Sequence, residues 1–362
     1  MAGLPADLID SLDEAELSRF HLRAVVVSGM GFFTDAYDLF VTGIVSTLLK
    51  HEWHLATGQL ALLNAVMLGA AFLGAIVFGR IADLVGRKRV YWLVAAIMVI
   101  AAIGSALAPT LAVLIAFRFL LGFGVGGDYP VSAVLMTEYA NRKDRGKLVG
   151  LVFSAQAVGL VVGPLIALAL LGSGVSQGVT WRVLLGLGAV PAAAVVYLRR
   201  KMPESPRYQA QVAGAAAETD AEFKAFAGGT FKHVKPRTRG PRTRGKAIAL
   251  RSFLTNRKFA TLLLGTAGCW FLLDYAYYGN TISTPQIISL ISPGASATVT
   301  IAIQLAIFVV AALPGYALAI ARMDRIGHRK LQLLGFVMMG LCFLVIAAVP
   351  GMTTAVVPFL IA

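Results

Sequence analysis

Gly79-Arg-Ile-Ala-Asp83-Leu-Val-Gly86-Arg87-Lys88 follows one long apolar run of this sequence, and Asp324-Arg-Ile-Gly327-His-Arg329-Lys330 follows another. The two stretches repeat one polar pattern six apolar runs apart, which implies a pair of six-helix halves. Nine runs are complete, at about 24–49, 60–80, 90–108, 110–136, 148–171, 182–198, 259–290, 297–321 and 331–349; a tenth begins near Met352. Each is long enough to cross a hydrocarbon core about 30 Å thick as a helix rising about 1.5 Å per residue. The expected fold is an all-α membrane protein with two helical lobes.

Composition agrees. Hydrophobic residues make up 58% of the 362, and charged residues only 14%, against about 45–50% and about 25% in soluble domains. The net charge of +14 is not spread evenly. Of 32 lysines and arginines, 29 fall in the N-terminal segment and in the connections after the second, fourth, sixth and eighth runs. Fifteen of them follow the sixth run, from Arg199 to Lys258. Positive charge is retained in the cytoplasm, so the N-terminus and the 201–257 segment are expected inside. The basic charge is therefore an orientation signal, and no nucleic-acid partner is expected. Residues 201–257, with the run from Lys235 to Arg244, read as a flexible cytoplasmic linker against water or lipid headgroups.

Met1 to Phe20 is acidic and amphipathic, and the first apolar run is too long for a signal peptide. Cys269 and Cys342 both lie in apolar runs, and the five histidines show no ligand spacing. Neither a disulfide framework nor a metal site is expected. No nucleophile stands with a base partner and there is no phosphate-binding loop, so an enzyme and a cofactor are not expected.

Four aspartates interrupt the apolar runs: Asp35, Asp38, Asp128 and Asp274. A carboxylate at the centre of a membrane helix costs about 2.5–3.5 kcal/mol on insertion scales, so such residues mark ion or proton pathways. Asp35 and Asp38 are three apart and share a helix face. Two nearby carboxylates out of water repel, so one of them favours binding a proton. Arg118, in the fourth run, is a buried cation in need of a carboxylate, with the first-run aspartates as candidates. Gly122, Gly124, Gly126 and Gly127 precede Asp128-Tyr129-Pro130. No strand precedes these glycines, which argues against a dinucleotide site and for close helix contact. Gln156 offers an amide in the fifth run. Trp270, Asp274 and Tyr278 are spaced four apart on one helix face, a polar stripe with apolar walls.

The Gly79–Lys88 loop resembles the hallmark of the major facilitator superfamily, and Pro203-Glu-Ser-Pro-Arg207 resembles the matching element of its sugar-porter-like branch. The resemblance implies twelve helices in two lobes with alternating access to a central site. The second copy is degenerate, with Ile320 at the family's glycine position. The sequence ends inside an apolar run, about nine and a half helices along, and reads as truncated. The expected organisation is a six-helix lobe over 1–200, the linker over 201–257 and an incomplete lobe over 258–362. The incomplete form is expected to be unstable or inactive alone.

Thr34-Asp-Ala-Tyr-Asp38, Gly126-Gly-Asp-Tyr-Pro130, Gln156 and Cys269-Trp-Phe-Leu-Leu-Asp274 with Tyr278 together resemble the phosphate:proton symporter family. That likeness implies phosphate contacts from Tyr129, Gln156, Trp270, Asp274 and Tyr278. It implies proton movement through Asp35, Asp38 and Asp128. A further asparagine and lysine expected of the family's last helices have no counterpart here. Phosphate near neutral pH carries protons and can donate a hydrogen bond to a carboxylate, whereas sulfate cannot; Asp274 suits that discrimination. Asp83, Gly86 and Arg87 are expected in the gating hinge, whose charges latch helix ends in one conformation. Arg118, Glu138 and Arg145 are further gating candidates. The implied partners are inorganic phosphate, protons and membrane lipid, in a cell (inner or plasma) membrane. A sugar or organic-anion porter of the same superfamily, a drug:proton antiporter and a non-transporting phosphate sensor are the alternatives.

Overall fold

A computed structural model of the chain describes Leu17 and residues 19–200, 255–292 and 294–348. Among the described residues, nine helical stretches are long and apolar enough to cross a membrane. In lipid each backbone N–H and C=O must be satisfied within its own segment, and a helix does this unaided.

The first five spans are Arg19–Glu52, Thr57–Val85, Arg87–Ala106, Leu111–Tyr139 and Arg145–Gly172. The sixth consists of Gln177–Leu187 and Ala189–Arg200, joined at Gly188. The seventh is Arg257–Ile291. The eighth begins as Ala297–Ile307, passes through a π-helical turn, Phe308–Ala312, and continues as Leu313–Ile326; the ninth is His328–Ala348. The nine runs read from hydropathy are thus nine spans, most of them longer than the apolar stretch alone. Polar caps fix several of the starts. Thr110, Ser176 and Ser296 each accept a hydrogen bond from the backbone N–H three residues on, satisfying a donor that the helix start leaves open.

The repeated polar motif is a repeated joint. Gly86 alone connects the second and third spans, with φ 105°, and Gly327 alone connects the eighth and ninth, with φ 89°. Glycine adopts this half of backbone space without the clash a Cβ would bring. The likeness of the two loops therefore reflects a shared backbone requirement. The linker from 201 to 254, with Pro203–Arg207, the acidic N-terminus and the tenth run near Met352 lie outside the described residues.

The first six spans pack into one lobe. Its tightest seam lies between the second and fourth spans, where a Cβ on Gly122 or Gly126 would run into the carbonyl oxygens of Met67 or Ala71. The small residues permit close helix contact, as expected. Because the obstruction is backbone, it cannot swing aside. Gly126→Val is expected to lower stability by at least the roughly 1–3 kcal/mol typical of overpacking. Thermal unfolding in detergent tests this, and an unchanged midpoint would count against the close seam.

The second lobe meets the first along two lines. Near its C-terminal end the seventh span lies against the first, with the Ile282 carbonyl where a Cβ on Gly43 would stand. The fifth span meets the eighth, where Gly150 faces Met323 and Ile320. Contacts of the seventh span with Tyr129 and Phe153 add to these, and much of the rest of the second lobe is open. The ninth span has no buried residue, and Leu262, Leu264, Phe271 and Tyr275 of the seventh are exposed, apolar surface suited to lipid.

One assignment changes. Arg199 was grouped with the basic linker, but the sixth helix continues through it and it is only 2% exposed. Its charge is held inside the lobe by a carboxylate.

Candidate functional site

That carboxylate is Asp128. Arg199 grips it with both terminal nitrogens, Nη1 to Oδ1 at 2.5 Å and Nη2 to Oδ2 at 3.0 Å. Ser132 Oγ donates to Oδ2 at 3.2 Å. The guanidinium also donates to the Tyr91 carbonyl oxygen and sits over the Tyr91 ring, 3.4 Å from its centroid. Arg199 lies in the last turn of the sixth span and Asp128 mid-way along the fourth, so the pair ties two helices across the lobe interior.

Asp35 lies near the centre of the first span and is fully buried. It is close enough to Asp128 to hydrogen-bond it once either carboxyl holds a proton, and close enough to Arg199 to feel its charge. Asp35 and Asp38 do share a helix, but they face different neighbours. Asp38 points toward Gly188 at the joint of the sixth span. The carboxyl that chiefly crowds Asp35 is Asp128, with Asp38 a lesser neighbour as their spacing leads one to expect; a three-residue step leaves about 60° between side chains on a helix. Neither oxygen of Asp35 or of Asp38 receives a hydrogen bond from a described residue.

Arg118 is buried as expected, but it reaches Asp38 through the backbone carbonyl, 3.3 Å from Nη1, and not through the carboxylate. Among the described residues, three carboxylates and two guanidiniums are thus fully buried in this lobe: Asp35, Asp38, Asp128, Arg118 and Arg199. With every group ionised the set carries one negative charge, and a single proton neutralises it.

Toward the second lobe lies a chain of hydroxyl and amide groups. Tyr129 and Tyr278 share a hydrogen bond of 2.5 Å between their hydroxyls. Gln156 Nε2 donates to the Tyr129 hydroxyl. Tyr316 donates to Gln156 Oε1 at 3.2 Å. Tyr129 and Gln156 belong to the first lobe, Tyr278 and Tyr316 to the second. The chain bridges the lobes twice. Aromatic rings wall it: Phe32 packs edge-on to Tyr129 at 4.9 Å, and Phe40 stacks on Tyr278 at 5.6 Å. Asp35 is close enough to interact electrostatically with both Tyr129 and Tyr278, so the charged cluster and the polar chain adjoin.

One turn from Tyr278 on the seventh span, Trp270 Nε1 donates to Asp274 Oδ2 at 2.7 Å. The polar stripe expected there exists, with an internal order: the indole N–H is directed to the carboxylate, leaving Oδ1 for another partner. Trp270 faces Phe153 across the lobes, 6.4 Å between ring centroids, yet is 51% exposed. An anion held between Tyr129, Gln156, Tyr278 and Asp274 would meet donors from three hydroxyl or amide groups and an acceptor in Asp274 Oδ1.

Of the gating candidates, Arg118 belongs to the buried charged cluster; the others lie toward the ends of the spans. Asp83 is exposed in the last turn of the second span, beside the Gly86 joint. Arg87 begins the third span; its side chain lies outside the described residues. Glu138 and Arg145 flank the short connection between the fourth and fifth spans.

Sequence reading missed Arg199 and Tyr316. Arg199 sits at the edge of a basic stretch, where local charge density concealed a buried ion pair. Tyr316, in Pro314-Gly315-Tyr316, carried the only available signal: a phenol one residue past a Pro-Gly pair inside an apolar run.

The family described as sugar (and other) transporter matches residues 24–361. A probable inorganic phosphate transporter 1-6 of Arabidopsis thaliana is 34% identical, across 95% of this chain and 75% of that protein. The low affinity inorganic phosphate transporter 1 of Petunia hybrida is also 34% identical, across 95% of this chain and 72% of its own length. Among solved structures, the xylose transporter XylE from E. coli, partially occluded and inward open, superposes with a TM-score of 0.69 at 18% identity, covering 94% of this chain and 82% of that one. A bacterial homologue of the human lysosomal transporter Spinster gives 0.57 at 18% identity, over 86% and 64% of the two chains. These two likenesses speak to the fold. With a family match over nearly its whole length, this chain belongs to the sugar (and other) transporter family and is a multi-pass membrane transporter with the major facilitator fold.

Proposed function

We propose that this chain carries inorganic phosphate across the membrane together with protons, by alternating access at the polar chain between its lobes. The reading rests on the juxtaposition of a hydrogen-bonded chain of hydroxyl and amide groups between lobes with buried carboxylates, in a chain 34% identical to proteins named for inorganic phosphate transport. Tyr129, Gln156 and Tyr278 donate to phosphate oxygens. Asp274, oriented by Trp270, accepts from a P–OH group. A carboxylate beside an anion is repulsive unless the anion brings a proton to the contact, so this geometry favours phosphate over sulfate.

Asp35, Asp38 and Asp128 handle the proton. One bound proton neutralises the buried set, and Asp35 with Asp128 forms a proton-sharing pair whose charge Arg199 balances. Neutralising this cluster lowers the repulsion toward an anion entering beside Tyr129, and that links the two fluxes. Arg118 supports Asp38 within the same conductive set. Asp83, Gly86, Arg87, Glu138 and Arg145 serve the gate at the ends of the second to fifth spans.

The units are a first lobe over 1–200, a linker over 201–257 and a second lobe over 258–362. The positive-inside bias supports an N-terminus and linker in the cytoplasm, in an inner or plasma membrane with lipid around the exposed faces.

Labelled-phosphate uptake into proteoliposomes, with and without an imposed proton gradient, is the test. Uptake that the gradient drives, an uncoupler abolishes and sulfate does not inhibit is the expected result. Phosphate binding without flux would favour a sensor. Transport of a sugar in place of phosphate would favour the reading carried by the family's name.

A further inference from the structure

We propose that Tyr316 is a positioning residue for the anion site: it holds the Gln156 amide with its nitrogen turned toward the substrate. The inference rests on the phosphate reading and extends it to a residue on the eighth span.

The two ends of a glutamine amide have nearly the same shape and opposite hydrogen-bonding character. What surrounds them decides which end faces a site. Gln156 is 5% exposed, so neither end can turn to bulk water. Tyr316 donates to Oε1 at 3.2 Å. With its acceptor end satisfied, the amide presents Nε2 to Tyr129, and so to the place an anion would take beside that hydroxyl. Remove the Tyr316 hydroxyl and Oε1 is buried without a donor in this orientation. Turning the amide over then lets Oε1 accept from Tyr129. A carbonyl oxygen would now face the anion, a repulsive contact where an attractive one stood.

The eighth span is shaped to deliver this hydroxyl. Its π-helical turn, Phe308–Ala312, comes just before Pro314-Gly315-Tyr316. One extra residue in a turn rotates everything beyond it by about 100° relative to an unbroken α-helix. That rotation decides which face of the span meets the fifth span, where Gly150 takes up Met323 and Ile320. Tyr316 belongs to the second lobe and Gln156 to the first. The amide is therefore set only while the two lobes stand as they do here, so donor orientation, and with it phosphate affinity, depends on the lobes' relative position.

The test is a double-substitution cycle in proteoliposomes with the full chain: wild type, Tyr316→Phe, Gln156→Leu and the pair, each measured for phosphate KM, turnover number and thermal unfolding. Tyr316→Phe is expected to raise KM about tenfold with little change in turnover, the size of one hydrogen bond's contribution. Gln156→Leu is expected to raise it further, and the pair to match Gln156→Leu alone, because Tyr316 then has no amide to orient. Added effects in the pair, an unchanged KM in Tyr316→Phe, or a loss confined to turnover would overturn the proposal while leaving the phosphate reading intact. A wild-type chain that moves no phosphate would overturn both. Where detergent-solubilised Tyr316→Phe unfolds early, phosphate Kd measured by calorimetry below its transition supplies the same comparison.

Discussion

The pair Asp35→Asn with Asp128→Asn is expected to destabilise this protein far more than the two single substitutions together suggest. Arg199 is buried and its guanidinium is matched to Asp128 by two parallel hydrogen bonds. Removing the partner of a buried ion typically costs about 3–5 kcal/mol, because the remaining charge stays out of water. In Asp128→Asn alone, however, Asp35 remains near Arg199 and can ionise to take the role of counter-ion. That single variant should stay folded with Asp35 held as a carboxylate. It should still exchange phosphate down a phosphate gradient while losing accumulation against one, since no proton-sharing pair remains. In the double variant no carboxylate is left beside Arg199, and the full penalty falls on folding. Thermal unfolding in detergent across the four forms tests this. Additive, small shifts would show that Asp35 does not stand in for Asp128. Proton-driven accumulation surviving in Asp128→Asn would remove that residue from coupling.

Asp274→Asn is expected to change both the strength and the selectivity of transport. Trp270 donates its indole N–H to Oδ2, and an asparagine in the same place must offer its oxygen to that donor. Its amide nitrogen then faces the site. The substitution converts an acceptor aimed at the substrate into a donor. Phosphate loses the acceptor for its P–OH group, a charged hydrogen bond worth about 1.5–3 kcal/mol, so kcat/KM should fall by roughly 10- to 100-fold. Sulfate, which has no proton to donate near neutral pH, loses a repulsive neighbour. Sulfate should therefore inhibit phosphate uptake in the variant and not in the wild type. Unchanged uptake together with unchanged indifference to sulfate would exclude Asp274 from the anion site. If uptake falls while sulfate still fails to compete, Asp274 serves binding without setting selectivity.

Both expectations use residues that hydropathy made conspicuous. Asp35, Asp38, Asp128 and Asp274 stand out because a carboxylate in a lipid-spanning run is costly wherever its neighbours lie. The spans themselves were legible for the same reason: run length against bilayer thickness is a local property of the chain. So was the repeated polar pattern around Gly86 and Gly327, although that each glycine alone joins two helices came only from the structure. The Gly122 to Gly127 group announced close contact, though not that the second span would supply it.

Partnership is where the chain alone fell silent. Asp128 and Arg199 are 71 residues apart, and Arg199 sits beside so many other cations that its side chain looked solvated. Tyr316 and Gln156 are 160 apart, and the phenol's direction follows from a π-helical turn whose presence no periodicity signals. The face each aspartate presents was also undecided: three residues along a helix brings Asp35 and Asp38 near one another, but the fourth and sixth spans determine that Asp35 meets Asp128 while Asp38 meets Gly188. The sequence by itself determined which of the described stretches are long and apolar enough to cross the membrane, where one polar pattern repeats, and which of their residues are too polar to be there without a purpose. Only the tertiary structure decided who neutralises whom and which way each amide and hydroxyl points, because charge balance and hydrogen-bond direction are properties of groups brought together by packing and are not encoded in the distance between them along the chain.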